Sequence, residues 1–460
     1  MLDSLTPLWK AGQYLELEID DLSATGTGVA HWGEHRQIVF VPDSVPGDRV
    51  RVRLTHVKPN YAHGILNQLL ESSPHRIRPA CIVADKCGGC QWQTVDYAYQ
   101  LQAKRNQVIQ ALQRIGKIPN PPVESVLAAP DPLGYRNKVT YPLKRGQAGQ
   151  VLAGYYRKGS HRLVNLNQCP VQDPRLNPLL AEIKQDIQQQ SWPIYDEQRH
   201  QGGLRHLGFR IGRQTGEILV TLVAFSSDLP GLAEQAQDWL QRYPNVVGVC
   251  VNVNCDRTNR IFGEQTQCLA GRSYLYEQFM GLTWQIEATP FFQIYTEQAE
   301  ALLQNILTHL QLQGHERVVD LYCGIGTLTL PIAQRVKSVL GIEIQGAAVA
   351  QAQANAALNH IANVTFTTSA VEDCFSTIQQ ADLFILDPPR KGCALGLLQH
   401  LGQLQPPRIV YMSCNPATLA RDLHILCQQG YHLHRVQPAD FFPQTAHVEC
   451  VAFLHASSHA

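Results

Sequence analysis

The chain has 460 residues, enough for about three domains of roughly 150 residues each. Its 38 Lys and Arg cancel its 38 Asp and Glu, and 44% hydrophobic with 17% charged residues is a globular balance that excludes a disordered chain. No apolar run reaches the ~18 residues that span a bilayer, and the opening MLDSLTPLWK lacks the basic-then-apolar layout of a signal peptide, so a cytoplasmic protein is expected.

The neutral total conceals a gradient. Residues 1–175 carry 21 Lys and Arg against 14 Asp and Glu, a net of +7; residues 176–460 carry 17 against 24, a net of −7. A positive front half suits a phosphate backbone, although +7 over 175 residues is only moderate.

Residues from about 10 to 70 predict a small β unit. The stretches 14–19, 37–41 and 49–57 alternate or are β-branched, with turn signals at 24–28 and 46–48. Arg49, Arg51, Arg53 and Thr55 fall on one face of a strand, and Val50, Val52, Leu54 and His56 on the other. Strands at this spacing suit an OB-like barrel, with one face inward and the other offering guanidinium groups to phosphates. Residues 101–115 predict an amphipathic helix carrying Lys104, Arg105 and Arg114. From about 123 to 285 the pattern is α+β, with strands expected at 139–143, 218–223 and 246–253. From about 290 short apolar runs alternate with helices, the grammar of a parallel doubly wound sheet. The expected class is α/β in three units, 1–72, 73–285 and 286–460.

Thirteen cysteines in such a chain suggest metal ligands or nucleophiles rather than disulfides. Cys81, Cys87 and Cys90 form C-x5-C-x2-C around two glycines, and Cys169, followed by Pro170, is the best-placed fourth ligand. Four soft thiolates suit zinc or an iron–sulfur cluster, and the spacing does not choose between them.

Asp320-Leu-Tyr-Cys-Gly-Ile-Gly-Thr follows a strand and opens a helix, where a Gly-x-Gly lets a ligand approach the backbone. The sixth position of a dinucleotide fingerprint is Thr329 and no P-loop lysine follows, which disfavours NAD and nucleoside triphosphates. With Glu343 ending the next strand, placed to grip ribose hydroxyls, the loop has the form of an S-adenosylmethionine site.

Asp387-Pro-Pro-Arg390 ends another strand, and Arg390 stands where amino-methylating enzymes place an aromatic ring. Next come Ser413-Cys414-Asn415-Pro416 at a strand end and His447-Val448-Glu449 near the C-terminus. A strand-terminal cysteine beside a methyl donor points to covalent chemistry. Carbon 5 of a pyrimidine is too weak a nucleophile to attack a sulfonium methyl until a thiolate adds at carbon 6. After methyl transfer a base must remove the carbon-5 proton, so one cysteine and one carboxylate are required, and Cys414 and Glu449 supply them. Other outcomes are a methyltransferase acting on nitrogen or protein, which would not need Cys414, and a non-catalytic RNA-binding factor.

These motifs together resemble the RNA uracil-5-methyltransferase family over nearly the whole chain. VPGDRV at 45–50 looks like a TRAM domain, GYRNKVTYP at 134–142 and GSHRLVNLNQCP at 159–170 like the central domain, and FFQ at 291–293, DLYCGIGT, GIE, DPPRKG, SCNP and HVE follow the family's order. The resemblance implies a Rossmann-like catalytic domain, Cys414 as nucleophile and Glu449 as base. It implies Gln293, Tyr322, Glu343 and Asp387 as S-adenosylmethionine contacts, and Cys81, Cys87, Cys90 and Cys169 as ligands of a [4Fe–4S] cluster. One departure is Tyr295, where the family usually has asparagine. Barrel and cluster together are more similar to the ribosomal than to the bacterial transfer RNA branch. The implied substrate is therefore 23S ribosomal RNA, with transfer RNA as the alternative; a monomer without DNA or membrane partners is expected.

Overall fold

Alternating apolar and polar side chains build the front of the chain into a six-stranded sheet: β1 (Tyr14–Glu18), β2 (Asp21–Leu22), β3 (Gly28–Trp32), β4 (Gln37–Val41), β5 (Arg49–Val57) and β6 (Tyr61–Glu71), in the order β1-β5-β6-β4-β3-β2. This computed structural model describes residues 9–33, 36–374, 378 and 381–457; most of the opening stretch read above as no signal peptide, residues 1–8, lies outside them. β1 also meets β3, so the sheet curls around Trp9, Val39, Val50, Val52 and Leu54. Val50, Val52 and Leu54 are buried, while Arg49, Arg51 and Arg53 are exposed, as period-2 alternation requires. Acidic neighbours temper that face: Glu71 pairs with Arg49 at 2.6 Å, and the register sets Glu18 opposite Arg49 and Glu16 opposite Arg51.

The middle of the chain holds α1 (Tyr97–Arg114) and a mixed seven-stranded sheet. Its strands are β7 (Lys138–Arg145), β8 (Val151–Tyr156), β9 (Leu163–Asn165), β10 (Leu204–Ile211), β11 (Ile218–Ala224), β12 (Val246–Val253) and β13 (Gln265–Gly271), in the order β13-β12-β11-β10-β7-β8-β9. Helices α2 (Leu176–Gln189) and α3 (Leu232–Arg242) cover it through Leu180, Ile183 and Trp239.

After the hairpin β14 (Tyr274–Phe279) and β15 (Leu282–Glu287) comes the doubly wound sheet: α4 (Thr296–Leu310), β16 (Arg317–Leu321), α5 (Thr329–Ala333), β17 (Ser338–Glu343), α6 (Gly346–Leu358), β18 (Val364–Thr368), β19 (Leu383–Leu386), α7 (Leu395–Leu404), β20 (Arg408–Ser413), α8 (Pro416–Gln428), β21 (Tyr431–Ala439) and β22 (Glu449–Ala456). The order is β18-β17-β16-β19-β20-β22-β21; the first five strands are parallel, and β22 runs antiparallel between β20 and β21. The strand order reverses between β16 and β19, the switch point where open α/β sheets bind ligands. Two elements of the middle stretch pack on this unit: α1 lies against α8 and β21, and the hairpin shares an apolar core with α4.

Helix α1, expected over residues 101–115 as an amphipathic helix with basic residues, buries one of them. Gln100, Lys104 and Val108 recur every four residues on its buried side. Lys104 is fully buried and pairs with the fully buried Asp440 at 2.5 Å, 336 residues away. Burial lowers the lysine's pKa while the Asp440 carboxylate opposes the shift. Arg105 donates to the carbonyls of Val123 and Glu124. Among the described residues no helix is long and apolar enough to cross a membrane.

Candidate active site

The loop after β16 carries its strain openly. Tyr322 has φ +66°, Gly324 φ +56° and Gly326 φ +89°. A tyrosine in left-handed conformation costs of order 1–3 kcal/mol and marks a backbone held by its surroundings. Nothing lies within 4 Å of where a Cβ on Gly324 would stand, so the loop faces open space there. Glu343, at the end of β17, accepts from the amides of Gly324 at 3.2 Å and Gln345 at 2.9 Å. Thr329 donates to one oxygen of buried Asp320 at 2.5 Å, while the other oxygen is buried with no partner. Burial pushes Asp320 up to about 7; Asp387 and Glu343 add to the rise, and the Thr329 hydroxyl opposes it. Three carboxylates around a glycine loop, one with an unfilled acceptor, fit S-adenosylmethionine, which brings hydroxyl donors and a sulfonium charge.

Gln293 reaches this loop from the other side. It lines a cavity with Thr327, Leu328 and Met412. Asn137 of the middle sheet holds its segment, donating its side-chain amide to the Gln293 carbonyl at 2.8 Å and to Thr296 at 2.9 Å. Tyr295, the departure from the family pattern, is buried two residues on. Its ring stacks on Tyr135 at 4.9 Å, and its hydroxyl donates to the Asp131 carbonyl at 2.8 Å and accepts from the Asp131 amide at 2.9 Å. Tyr295 thus joins the glutamine loop to the middle unit. The Tyr322 phenol turns toward the Cys393 thiol, and burial raises its pKa.

Cys414 follows β20 directly and precedes α8. Asn415 caps that helix by accepting from the Ala417 amide at 3.1 Å, and Pro416 occupies its first turn. Strands β20 and β22 pair Met412 with Val451 and Ser413 with Cys450. The ladder ends there, one residue short of Cys414 on one strand and of Glu449 on the other, and the two groups are near enough for the Glu449 charge to act on the Cys414 thiol. Burial raises the Cys414 thiol and nearby Glu449 raises it further, while Arg390 opposes them. Glu449 is pushed up to about 8 by burial, then by Asp387, again with Arg390 opposing. Burial lifts Asp387 to about 6.

Arg390 is exposed, and its guanidinium donates to His447 Nδ1 at 3.1 Å. Its carbonyl accepts from Asn415 and Thr418, each at 3.3 Å. Behind this loop a buried network escaped sequence reasoning. Asp422 accepts from the Tyr411 hydroxyl at 2.5 Å and the Cys393 amide at 2.9 Å. Gly392, at φ +78°, leaves no room for a Cβ, which would stand 2.5 Å from Asp422 Oδ2. The glycine of DPPRKG was the available signal, but its partners came from α8.

The four expected cysteine ligands come together. Cys81, Cys87, Cys90 and Cys169 line one small cavity with Arg136 and Tyr155. The Gly89 amide donates to Cys87 Sγ at 3.4 Å, and the Gly88 amide ties the loop to the Tyr156 carbonyl at 2.9 Å. Burial pushes Cys90 up to about 11 and also raises Cys87 and Cys169, while Arg136 pulls all three down. Four soft donors, an amide on the Cys87 sulfur and a guanidinium to balance thiolate charge have the donor chemistry of an anionic cluster, although the four sulfurs line the cavity without being grouped around one ion. Among the described residues no three His, Cys, Asp or Glu side chains are grouped to hold a metal ion, and no disulfide links any of the cysteines.

Comparison with known proteins agrees with this geometry. The family model described as tRNA (Uracil-5-)-methyltransferase matches residues 96–457, and the TRAM domain model matches residues 8–66. An uncharacterized RNA methyltransferase of Nostoc sp. is 62% identical, covering 97% of each chain, and one of Bacillus cereus is 39% identical, covering 99% of each. The crystal structure of Pyrococcus abyssi tRNA (uracil-54, C5)-methyltransferase in complex with S-adenosyl-L-homocysteine superposes with a TM-score of 0.77 at 26% identity, over 96% of this chain and 100% of that one. The chain therefore belongs to the tRNA (uracil-5-)-methyltransferase family of S-adenosylmethionine-dependent RNA methyltransferases and carries a TRAM domain at its front.

Proposed function

We propose that this protein methylates carbon 5 of one uridine in RNA, with Cys414 as nucleophile and Glu449 as base. The β20–β22 register, which ends on Ser413 and Cys450 next to these two residues, with the charge of Glu449 acting on the Cys414 thiol, supports the proposal. Gln293, Tyr322, Glu343 and Asp387 would hold S-adenosylmethionine, which supplies an electrophilic methyl group when bound. A flipped uridine enters between them. The Cys414 thiolate adds to carbon 6, and the electron pair moves to carbon 5, which takes the methyl group. Glu449 then accepts the carbon-5 proton, the carbon 5–carbon 6 double bond reforms, and the thiolate leaves. Arg390 favours the charged forms of both groups. Residues 1–72 would grip RNA, 73–285 present the cysteine site and further RNA surface, and 286–460 carry the chemistry.

Cys81, Cys87, Cys90 and Cys169 would hold a [4Fe–4S] cluster; no step above consumes an electron, so its role is structural. Cys169→Ser should then lose bound iron. The substrate we propose is 23S ribosomal RNA, met by a cytoplasmic monomer. Transfer RNA is the second reading, favoured by the Pyrococcus abyssi enzyme, whose structure aligns with this chain across barrel and catalytic unit alike. The test offers unmodified 23S ribosomal RNA and transfer RNA with methyl-labelled S-adenosylmethionine, followed by mass spectrometry of RNA fragments. Label at carbon 5 of one uridine is expected, lost in Cys414→Ala with donor binding intact. Label on nitrogen, or an active Cys414→Ala, would overturn the proposal.

A further inference from the structure

The segment that delivers Glu449 is held from outside the catalytic sheet. Between the end of β21 and the start of β22, residues 440–448 form no regular structure. Gln444, in the middle, has φ +70°, a conformation that must be enforced by its surroundings. Its backbone is gripped on both sides. The Gln444 amide donates to Gln100 Oε1 at 2.9 Å, and its carbonyl accepts from the amides of Gln91 at 3.1 Å and Trp92 at 3.0 Å, directly after Cys90.

The same residues brace one another. Gln100 is fully buried and donates to the carbonyls of Trp92 at 3.1 Å and Val95 at 2.9 Å. One residue before Gln444, the Pro443 carbonyl accepts from Tyr135 at 3.1 Å. At the start of the segment Lys104 pairs with Asp440 and donates to the Phe442 carbonyl at 3.1 Å. Helix α1, the cysteine loop and the start of the middle unit therefore converge on five residues, the last of them five positions before Glu449.

We infer that Gln100 is a positioning residue for proton abstraction, and that it acts by clamping the Gln444 backbone so that Glu449 meets the carbon-5 proton of the adduct. The grip lies on the base side only; Cys414 is placed by β20 and α8. Loosening the clamp should slow the step that needs Glu449 and spare the steps before it. This inference rests on Glu449 being the base.

The experiment uses the full-length protein with RNA carrying tritium at uridine carbon 5 and methyl-labelled donor, in a single turnover. Gln100→Met keeps the side-chain volume and removes the clamp. Methyl transfer at the wild-type rate is expected, with tritium release slowed about 10- to 100-fold and a covalent protein–RNA adduct accumulating. Tyr135→Phe deletes one anchor without opening a cavity, and should show the same pattern at a few-fold amplitude.

Equal losses of methyl transfer and tritium release in Gln100→Met and Tyr135→Phe, or unchanged tritium release in both, would overturn the inference. If Gln100→Met does not fold, Tyr135→Phe decides by the same criterion. Glu449→Gln separates the two levels. If it accumulates adduct while the clamp variants do not, only the clamp is refuted; if it turns over normally, the assignment of the base itself fails.

Discussion

The pH dependence of adduct breakdown tests the proposed base most directly. Glu449 is pushed up to about 8 because its half-buried carboxyl is poorly solvated and because Asp387 adds a like charge. A carboxyl group with that value is ionised in about 1% of molecules at pH 6, about 9% at pH 7 and about half at pH 8. Only the ionised form can accept the carbon-5 proton, so breakdown should quicken with rising pH, about tenfold for the first unit and about 50-fold from pH 6 to 8, then level off. Ionisation of the Cys414 thiol would give the same sign for the addition step, so the measurement must begin after addition. Adduct is formed at low pH with tritiated RNA, the pH is jumped, and tritium release is followed in a rapid quench. Arg390→Gln removes the charge that opposes the rise, and its curve should move to higher pH. A release rate indifferent to pH between 6 and 8, or an Arg390→Gln curve displaced to lower pH, would refute this account of Glu449.

Three further outcomes follow from packing and charge. Lys104→Met leaves Asp440 buried without its ion partner and should cost about 3–5 kcal/mol in denaturant unfolding, most of it regained in Lys104→Met/Asp440→Leu; a single variant within 1 kcal/mol of wild type would show that the pair carries little. Gly392→Ala forces a Cβ against Asp422 at a positive φ, and should destabilise the protein by more than about 1 kcal/mol by the same measurement. On the barrel, Arg53→Ala should reduce the slope of log RNA affinity against log salt by about one, whereas Arg49→Ala, already paired with Glu71, should change it less in anisotropy titrations.

Much of this fold was legible because its signals are local. The strand expected at 49–57 is β5, the run at 246–253 is β12, and each strand-end motif of the last unit stands where a parallel strand stops. Legibility ended where partners come from far along the chain. Nothing in HVE reveals that Glu449 lies next to Cys414, because a one-residue slip between β20 and β22 would turn it to the other face of the sheet. The sequence showed Lys104 only as a cation on an amphipathic helix, yet its four-residue spacing from Gln100 and Val108 places it on the buried side of α1. The barrel arginines read as free guanidiniums because their opposing glutamates lie on other strands, an arrangement only the register discloses. Tyr295 read as a lost asparagine and is instead a stacked, doubly hydrogen-bonded anchor.

Arg390 shows why one residue after two prolines can separate chemistries. An aromatic side chain there could stack on a flipped base, but it would bring no charge. The guanidinium favours the ionised forms of Cys414 and Glu449 together, the two groups that covalent carbon methylation requires and nitrogen methylation does not. Burial and Arg390 both lower the pKa of His447, which leaves the imidazole neutral and able to accept from Arg390 Nη2. That bond ties the loop after β19 to the segment before β22, while the Arg390 carbonyl, accepting from Asn415 and Thr418, ties the same loop to the start of α8 behind Cys414. The proposed nucleophile and base, Cys414 and Glu449, therefore both neighbour segments tied to this one residue. A lysine would keep the charge without the planar fork of donors, so Arg390→Lys should retain the pH dependence of adduct breakdown better than Arg390→Gln while weakening the bond to His447.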